Sequence, residues 1–117
     1  MSTPDLSLAL GSVVYALTKV DGRLQQEEAT TVRQLLRQEP HGDLALFAFY
    51  LRENCEETVE NAYLFAIRCL TNNRQALCDD TKKRFVNVLI RVAEAHDEMS
   101  RKERELIQRF RRDIRRL

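Results

Sequence analysis

Glycine and proline are scarce in this sequence, with three and two copies respectively, and tryptophan is absent. Folds built from many short β-strands need turns rich in glycine and proline, so their scarcity favours a helical protein. No apolar run approaches the roughly 20 residues that a membrane-spanning helix requires. The first residues lack a basic segment followed by an apolar stretch, so we expect no signal peptide, no membrane association and a cytoplasmic location.

The chain has 19 basic and 18 acidic side chains and a net charge of +1, so charge of neither sign dominates. This balance argues against binding to nucleic acid or to an anionic membrane surface. Hydrophobic residues make up 44% of the chain and charged residues 32%, which is typical of a globular protein. The length of 117 residues fits one domain, so we predict a single domain over residues 1–117.

The chain has three cysteines, Cys55, Cys69 and Cys78, and an odd number cannot all pair in disulfides within one chain. No CxxC pair occurs. We therefore expect reduced and mostly buried thiols in a cytosolic protein. A nucleophilic cysteine would need a neighbouring basic group, and the only histidines are His41 and His96. The sequence gives no support for such a pairing.

Apolar residues recur at helical spacing along most of the chain and predict an all-α fold, a compact bundle of six or seven helices. Thr3 and Pro4 mark the start of the first helix, as a cap followed by a residue suited to the first helical position. Asp79 or Asp80 is expected to cap the fifth helix. There is no linker or low-complexity segment between the helices.

Residues 44–51 are apolar on all sides, so periodicity does not distinguish a buried helix from a buried strand. Their leucine and alanine content favours a helix, and no partner strand is visible in the sequence. An exposed apolar patch on this segment would favour a homodimer or a subunit of a larger complex. Full burial within the monomer would remove the main support for that interpretation.

An internal similarity links the ends of the first and fifth helices. Residues 20–28 (VDGRLQQEE) and 95–103 (AHDEMSRKE) each follow an apolar helix and continue with an acidic turn, one apolar residue and a polar cap. A glutamate follows three residues after each cap, Glu28 in the first segment and Glu103 in the second, where Ser100 and Glu103 form a capping box. We predict two pseudo-symmetric helix–loop–helix corners.

The first corner resembles the TerB-like family, which is associated with tellurite and general stress resistance in bacteria. The family pattern is A-D-G-x-[IL]-S-x-x-E, and four of its positions are matched here by Asp21, Gly22, Leu24 and Glu28. The second corner lacks the Asp-Gly pair, and many members are more acidic than this chain. The resemblance spans nearly the whole chain and implies a small helical binding or adaptor module. Separately, we expect a protein partner for it.

The acidic corners are a candidate site for a divalent cation, because Ca²⁺ and Mg²⁺ prefer several oxygen ligands. The candidate ligands are Asp21, Glu27, Glu28, Asp97, Glu98, Glu103 and His96. A nitrogen ligand from His96 would shift the preference toward Zn²⁺, so we expect Ca²⁺ or Mg²⁺ ahead of Zn²⁺. The site requires the two corners to meet. The alternative is that the glutamates cap helix ends, which leaves Asp21 as the residue that capping explains least.

Known catalytic motifs are missing, since the sequence has no nucleophile elbow, phosphate-binding loop or HExxH segment. We therefore expect a binding or adaptor module and not an enzyme. The alternative is a homodimer or partner subunit without a metal site. Residues 97–117 carry eight basic and five acidic side chains, but Phe110 is their only aromatic residue, which argues against the stacking of bases.

Overall fold

The computed structural model describes residues 3–22, 26–95 and 98–117, which contain six α-helices, one 3₁₀ turn and no strand. The helices are α1 (Pro4–Lys19), α2 (Gln26–Arg37), α3 (Gly42–Cys55), α4 (Val59–Asn72), α5 (Asp79–Ala93) and α6 (Arg101–Arg115). The 3₁₀ turn covers Arg74–Ala76 between α4 and α5. The all-α prediction is confirmed, and the ambiguous segment 44–51 lies within α3 as expected.

Side-chain caps begin three of the six described α-helices, namely α1, α4 and α6. The Thr3 hydroxyl accepts a hydrogen bond from the Leu6 amide at 3.3 Å, and Pro4 occupies the first helical position, as predicted. The start of α5 differs from the prediction, because Cys78 occupies the cap position and Asp79 is already in the first turn. The aspartate there still complements the positive end of the helix dipole, so the helix can begin without a side-chain cap.

Helix α1 lies at the centre of the fold and packs mainly against α3 and α4, with further contacts to α2, α5 and α6. Residues 9–18 of this helix are all buried, and each of them is apolar, small or hydroxylated. The buried hydroxyls are satisfied by backbone carbonyls, since Ser7 donates to Pro40 at 2.6 Å and Ser12 donates to Ala62 at 2.8 Å. This central helix can therefore be buried on all sides without leaving these hydroxyls unpaired.

The remaining helices close the core around α1. Helix α5 contributes Phe85, Leu89 and Val92, and α6 contributes a stripe that includes Phe110 and Ile114. These stripes recur every three or four residues, which is the spacing of one helix face. No helix in the described part of the chain is long and apolar enough to cross a membrane.

Candidate functional site

The first predicted corner joins α1 to α2 through a left-handed turn. Gly22 has a φ of 103°, a conformation that favours glycine, and its amide donates to the Lys19 carbonyl at 2.9 Å. Asp21 is exposed and makes no hydrogen bond or ion pair with another described residue. Capping therefore does not explain Asp21, as the sequence suggested. Leu24, which matches the family pattern, lies outside the described residues.

Two glutamates of this corner lie in the first turn of α2. Glu27 is exposed, whereas Glu28 is only 5% exposed, and both have interaction partners. A carboxylate in the first turn of a helix is favoured by the free amides and by the helix dipole. Their positions are therefore compatible with a structural role at the start of α2.

The second corner places its glutamate in the predicted capping box. The Ser100 hydroxyl accepts from the Glu103 amide at 3.0 Å, and Glu103 Oε1 accepts from the Ser100 amide at 2.9 Å. Glu103 is buried. The two reciprocal hydrogen bonds account for the position of its carboxylate without a bound cation. Glu98 is exposed and has an interaction partner. His96 and Asp97 lie outside the described residues.

The structure does not bring the described candidate ligands into one cluster. Within residues 3–22, 26–95 and 98–117, no three His, Cys, Asp or Glu side chains are grouped so that they could hold a metal ion. Five of the predicted metal ligands lie within these residues, namely Asp21, Glu27, Glu28, Glu98 and Glu103. A cation at either corner would need water or ligands from outside the described residues to complete its coordination.

An exposed apolar surface lies on the outer side of α3. Phe47, Tyr50 and Leu51 are 58%, 38% and 44% exposed, and their i, i+3, i+4 spacing places them on one face of the helix. The opposite face, with Ala48 and Phe49, is buried in the core. We call the three exposed residues the outer α3 face. The apolar segment is thus buried on one side only.

A groove between α5 and α6 was not predicted from the sequence. Its floor is apolar and its rim is basic, with Val86, Ile90 and Ile114 below and Lys82, Lys83, Arg111 and Arg115 above. The basic rows on the two helices are visible in the sequence, at Lys82 and Lys83 and again at Arg111 and Arg115. Only the packing of α5 against α6 brings the rows together.

The cysteines contradict the expectation that they are mostly buried. Cys55 and Cys78 are exposed and Cys69 is half-buried, because Cys55 ends α3 on its outer side and Cys78 precedes α5. Burial raises the pKa of the Cys69 thiol, whereas hydrogen bonding to Thr81 lowers the pKa of Cys78. The Cys78 thiol is therefore the more readily ionised of these two.

A polar cluster joins α4 to α6. Arg109 donates two hydrogen bonds to the Glu60 carboxylate, at 2.7 and 2.8 Å, and its guanidinium lies 4.0 Å from the centre of the Tyr63 ring. The Tyr63 hydroxyl donates to Asp113 Oδ2 at 2.6 Å. Burial raises the pKa of Tyr63, and the hydrogen bond from Arg109 lowers the pKa of Glu60. These groups are engaged in holding the two helices together.

Comparison with known proteins supports the resemblance noted at the first corner. The model of the family described as tellurite resistance protein TerB matches residues 7–115. A search of curated proteins and a search of solved structures gave no match. The family match runs from within α1 to the end of α6 and includes both corners, and the chain therefore belongs to the TerB family.

Proposed function

We propose that this TerB-family domain is a binding or adaptor module, not an enzyme, and that it contacts a protein partner through the outer α3 face. The observation that carries the proposal is the exposure of Phe47, Tyr50 and Leu51 on one side of a single helix. Grouped exposed apolar side chains mark interaction surfaces more often than single ones do. The family description suggests tellurite resistance as the process that the module serves.

Behind the outer α3 face, the buried side of the helix is joined to α1 by aromatic packing and by a hydrogen bond. Phe49 is buried and meets the Tyr15 ring edge-on, with ring centroids 6.1 Å apart. The Tyr15 hydroxyl in turn donates to the Glu57 carbonyl at 2.6 Å, just beyond the end of α3. A surface whose backbone is already fixed loses little entropy on binding, which favours association.

The chemistry of the outer α3 face suits a protein partner. Burying a fully exposed large apolar side chain contributes about 1.5–3 kcal/mol, and these three are 38–58% exposed, so roughly half of that gain remains for each of them on binding. Aromatic residues such as Phe47 and Tyr50 are also enriched at the centres of protein interfaces. The shifted pKa values of Tyr63 and Glu60 arise from the contact between α4 and α6, so these two groups have a structural explanation.

Site-specific photocrosslinking in cells tests this proposal. A photoreactive amino acid at Asn54, which is exposed near the end of α3, is expected to give a discrete adduct with a partner protein. Phe47→Ser is expected to abolish the adduct, because it removes the most exposed apolar side chain of the face. Denaturing gel electrophoresis measures the adduct, and circular dichroism checks that the variant is folded.

Two matched controls locate the contact. Leu64→Ser on α4 removes a leucine that is 44% exposed outside the outer α3 face, and it should leave the adduct unchanged. A photoreactive residue at exposed Gln75 should give no such adduct. Equal crosslinking from Gln75, or an adduct that persists in folded Phe47→Ser, would contradict the proposal.

A divalent cation at the acidic corners is the second candidate function. It is favoured by Asp21, which is exposed beside the Gly22 turn and has no polar partner among the described residues. We expect calorimetric titration of the chelator-treated protein to give saturable one-site binding of Ca²⁺ or Mg²⁺. Asp21→Asn should abolish this binding, and Asp43→Asn, which alters another exposed carboxylate, should not.

Two outcomes of this titration are informative, namely which ion binds and whether any heat is released. A preference for Zn²⁺ would point to His96 as a ligand. If neither heat nor thermal stabilisation is seen at millimolar metal, the acidic residues act only at the helix ends and the cation proposal is wrong.

A further inference from the structure

The groove between α5 and α6 has a volume of about 440 Å³ and an apolar floor. Ile114 is buried at its base, and Val86 and Ile90 are half-buried along the α5 side. Val86 and Ile90 are four residues apart, so they lie one above the other on the same face of α5. From Lys82 to Ile90 the helix rises about 12 Å, which is roughly two helical turns.

The rim of the groove carries an excess of positive charge. Lys82, Lys83, Arg111 and Arg115 face a single lining carboxylate, that of Asp79. None of the four cations makes an ion pair with another described residue. Other arginines of the same helices are paired, since Arg84 contacts Glu39 at 2.8 Å and Arg109 contacts Glu60 at 2.7 Å.

We propose that the groove between α5 and α6 binds an acidic, amphipathic helical segment of a partner protein. The apolar side of that segment would cover Val86, Ile90 and Ile114, and its carboxylates would meet the four rim cations. An amphipathic helix laid in an apolar groove is a recurring mode of peptide recognition. This surface is formed by other helices than the outer α3 face, so it does not depend on that contact.

Charge and shape favour a protein segment over other anionic partners. Nucleic acid is bound mainly through its phosphates and through stacking on aromatic side chains, and no aromatic residue lines the groove. A flat anionic membrane surface would reach the rim but not the recessed Ile114. An acidic amphipathic helix uses both the cations and the floor.

Fluorescence anisotropy with the full chain tests the proposal. The probe is a labelled helical peptide with leucine on one face and glutamate on the other. We expect saturable binding that weakens as salt is added, because exposed charges are screened. The same peptide with lysine in place of glutamate should not bind.

Charge reversal on the rim should weaken binding at least about tenfold, the change that corresponds to roughly 1.4 kcal/mol. The test variant is Lys83→Glu with Arg111→Glu. Its control is Lys102→Glu with Arg37→Glu, which changes the net charge equally at two exposed positions outside the groove. Val86→Ser should also weaken binding, by removing part of the floor. Circular dichroism checks that each variant is folded.

Several results would overturn the proposal. Equal loss in the rim and control variants would show that overall charge, not the groove, attracts the peptide. Equal binding of polyglutamate would show that the apolar floor has no role. Tighter binding of single-stranded nucleic acid or anionic vesicles, lost in the rim variant, would replace the protein segment by that partner. Phe47→Ser should leave peptide binding unchanged, which separates this test from that of the outer α3 face.

Discussion

Replacing Gly11 by alanine is expected to lower the free energy of unfolding by about 2–3 kcal/mol, through overpacking of the core. Gly11 lies where α1 approaches α3, and a Cβ atom there would overlap the Ala45 carbonyl oxygen and lie 2.9 Å from its carbonyl carbon. Backbone atoms cannot rotate away as a side chain can, so the two helices would have to separate. Urea denaturation followed by circular dichroism measures the change.

The expected destabilisation by Gly11→Ala is opposite to the change in stability that helix propensity predicts. Alanine is more favourable than glycine in a helix by about 1 kcal/mol, so propensity alone predicts stabilisation. Gln34→Ala, at an exposed position of α2, serves as the control and should change stability by less than about 0.5 kcal/mol. A Gly11→Ala protein as stable as the parent would show that the contact between α1 and α3 can relax at little cost.

Truncation of Phe110 to alanine is expected to destabilise the protein by about 3–5 kcal/mol, the range for a buried phenylalanine. Phe110 is fully buried on α6 and meets the Tyr63 ring of α4 edge-on, with centroids 6.5 Å apart. Its loss leaves a cavity at the contact that holds α6 to the core. Thermal and urea denaturation measure the effect.

Gln108→Ala on the exposed side of α6 is the matched control for Phe110→Ala and should have an effect below about 0.5 kcal/mol. Because α6 forms one wall of the groove, Phe110→Ala should also weaken binding of the acidic peptide. A loss of less than about 1 kcal/mol would mean that α6 is held mainly by polar contacts, such as that of Tyr63 with Asp113.

Features that depend on neighbours in the chain could be predicted from the sequence. The Thr3 cap and the Ser100–Glu103 capping box involve residues three positions apart, so their geometry follows once a helix forms. The stripe of α6 has the spacing of one helix face, and the Gly22 turn has the conformation that glycine favours. The family pattern at the first corner is of the same local kind.

Other predictions failed or stayed incomplete because neighbouring residues in the sequence did not decide them. Asp79, Asp80 and Cys78 all lie within one turn of the start of α5, and a shift of one residue decides which of them is the cap. The exposure of Cys55 and Cys78 depends on where each helix end meets solvent, which composition does not encode. Whether residues 96 and 97 join a cation site stays a prediction.

The sequence by itself determined the helical class, the starts of α1 and α6, the Gly22 turn and membership of the TerB family, because these depend on spacing along the chain. Tertiary structure decided which side of α3 is exposed, since residues 44–51 are apolar all round and packing against α1 and α2 selects the buried face. It also created the groove, where Lys83 on α5 and Arg111 on α6 line one surface although 28 positions separate them in the sequence. Contacts between residues so distant in sequence arise only when the helices pack.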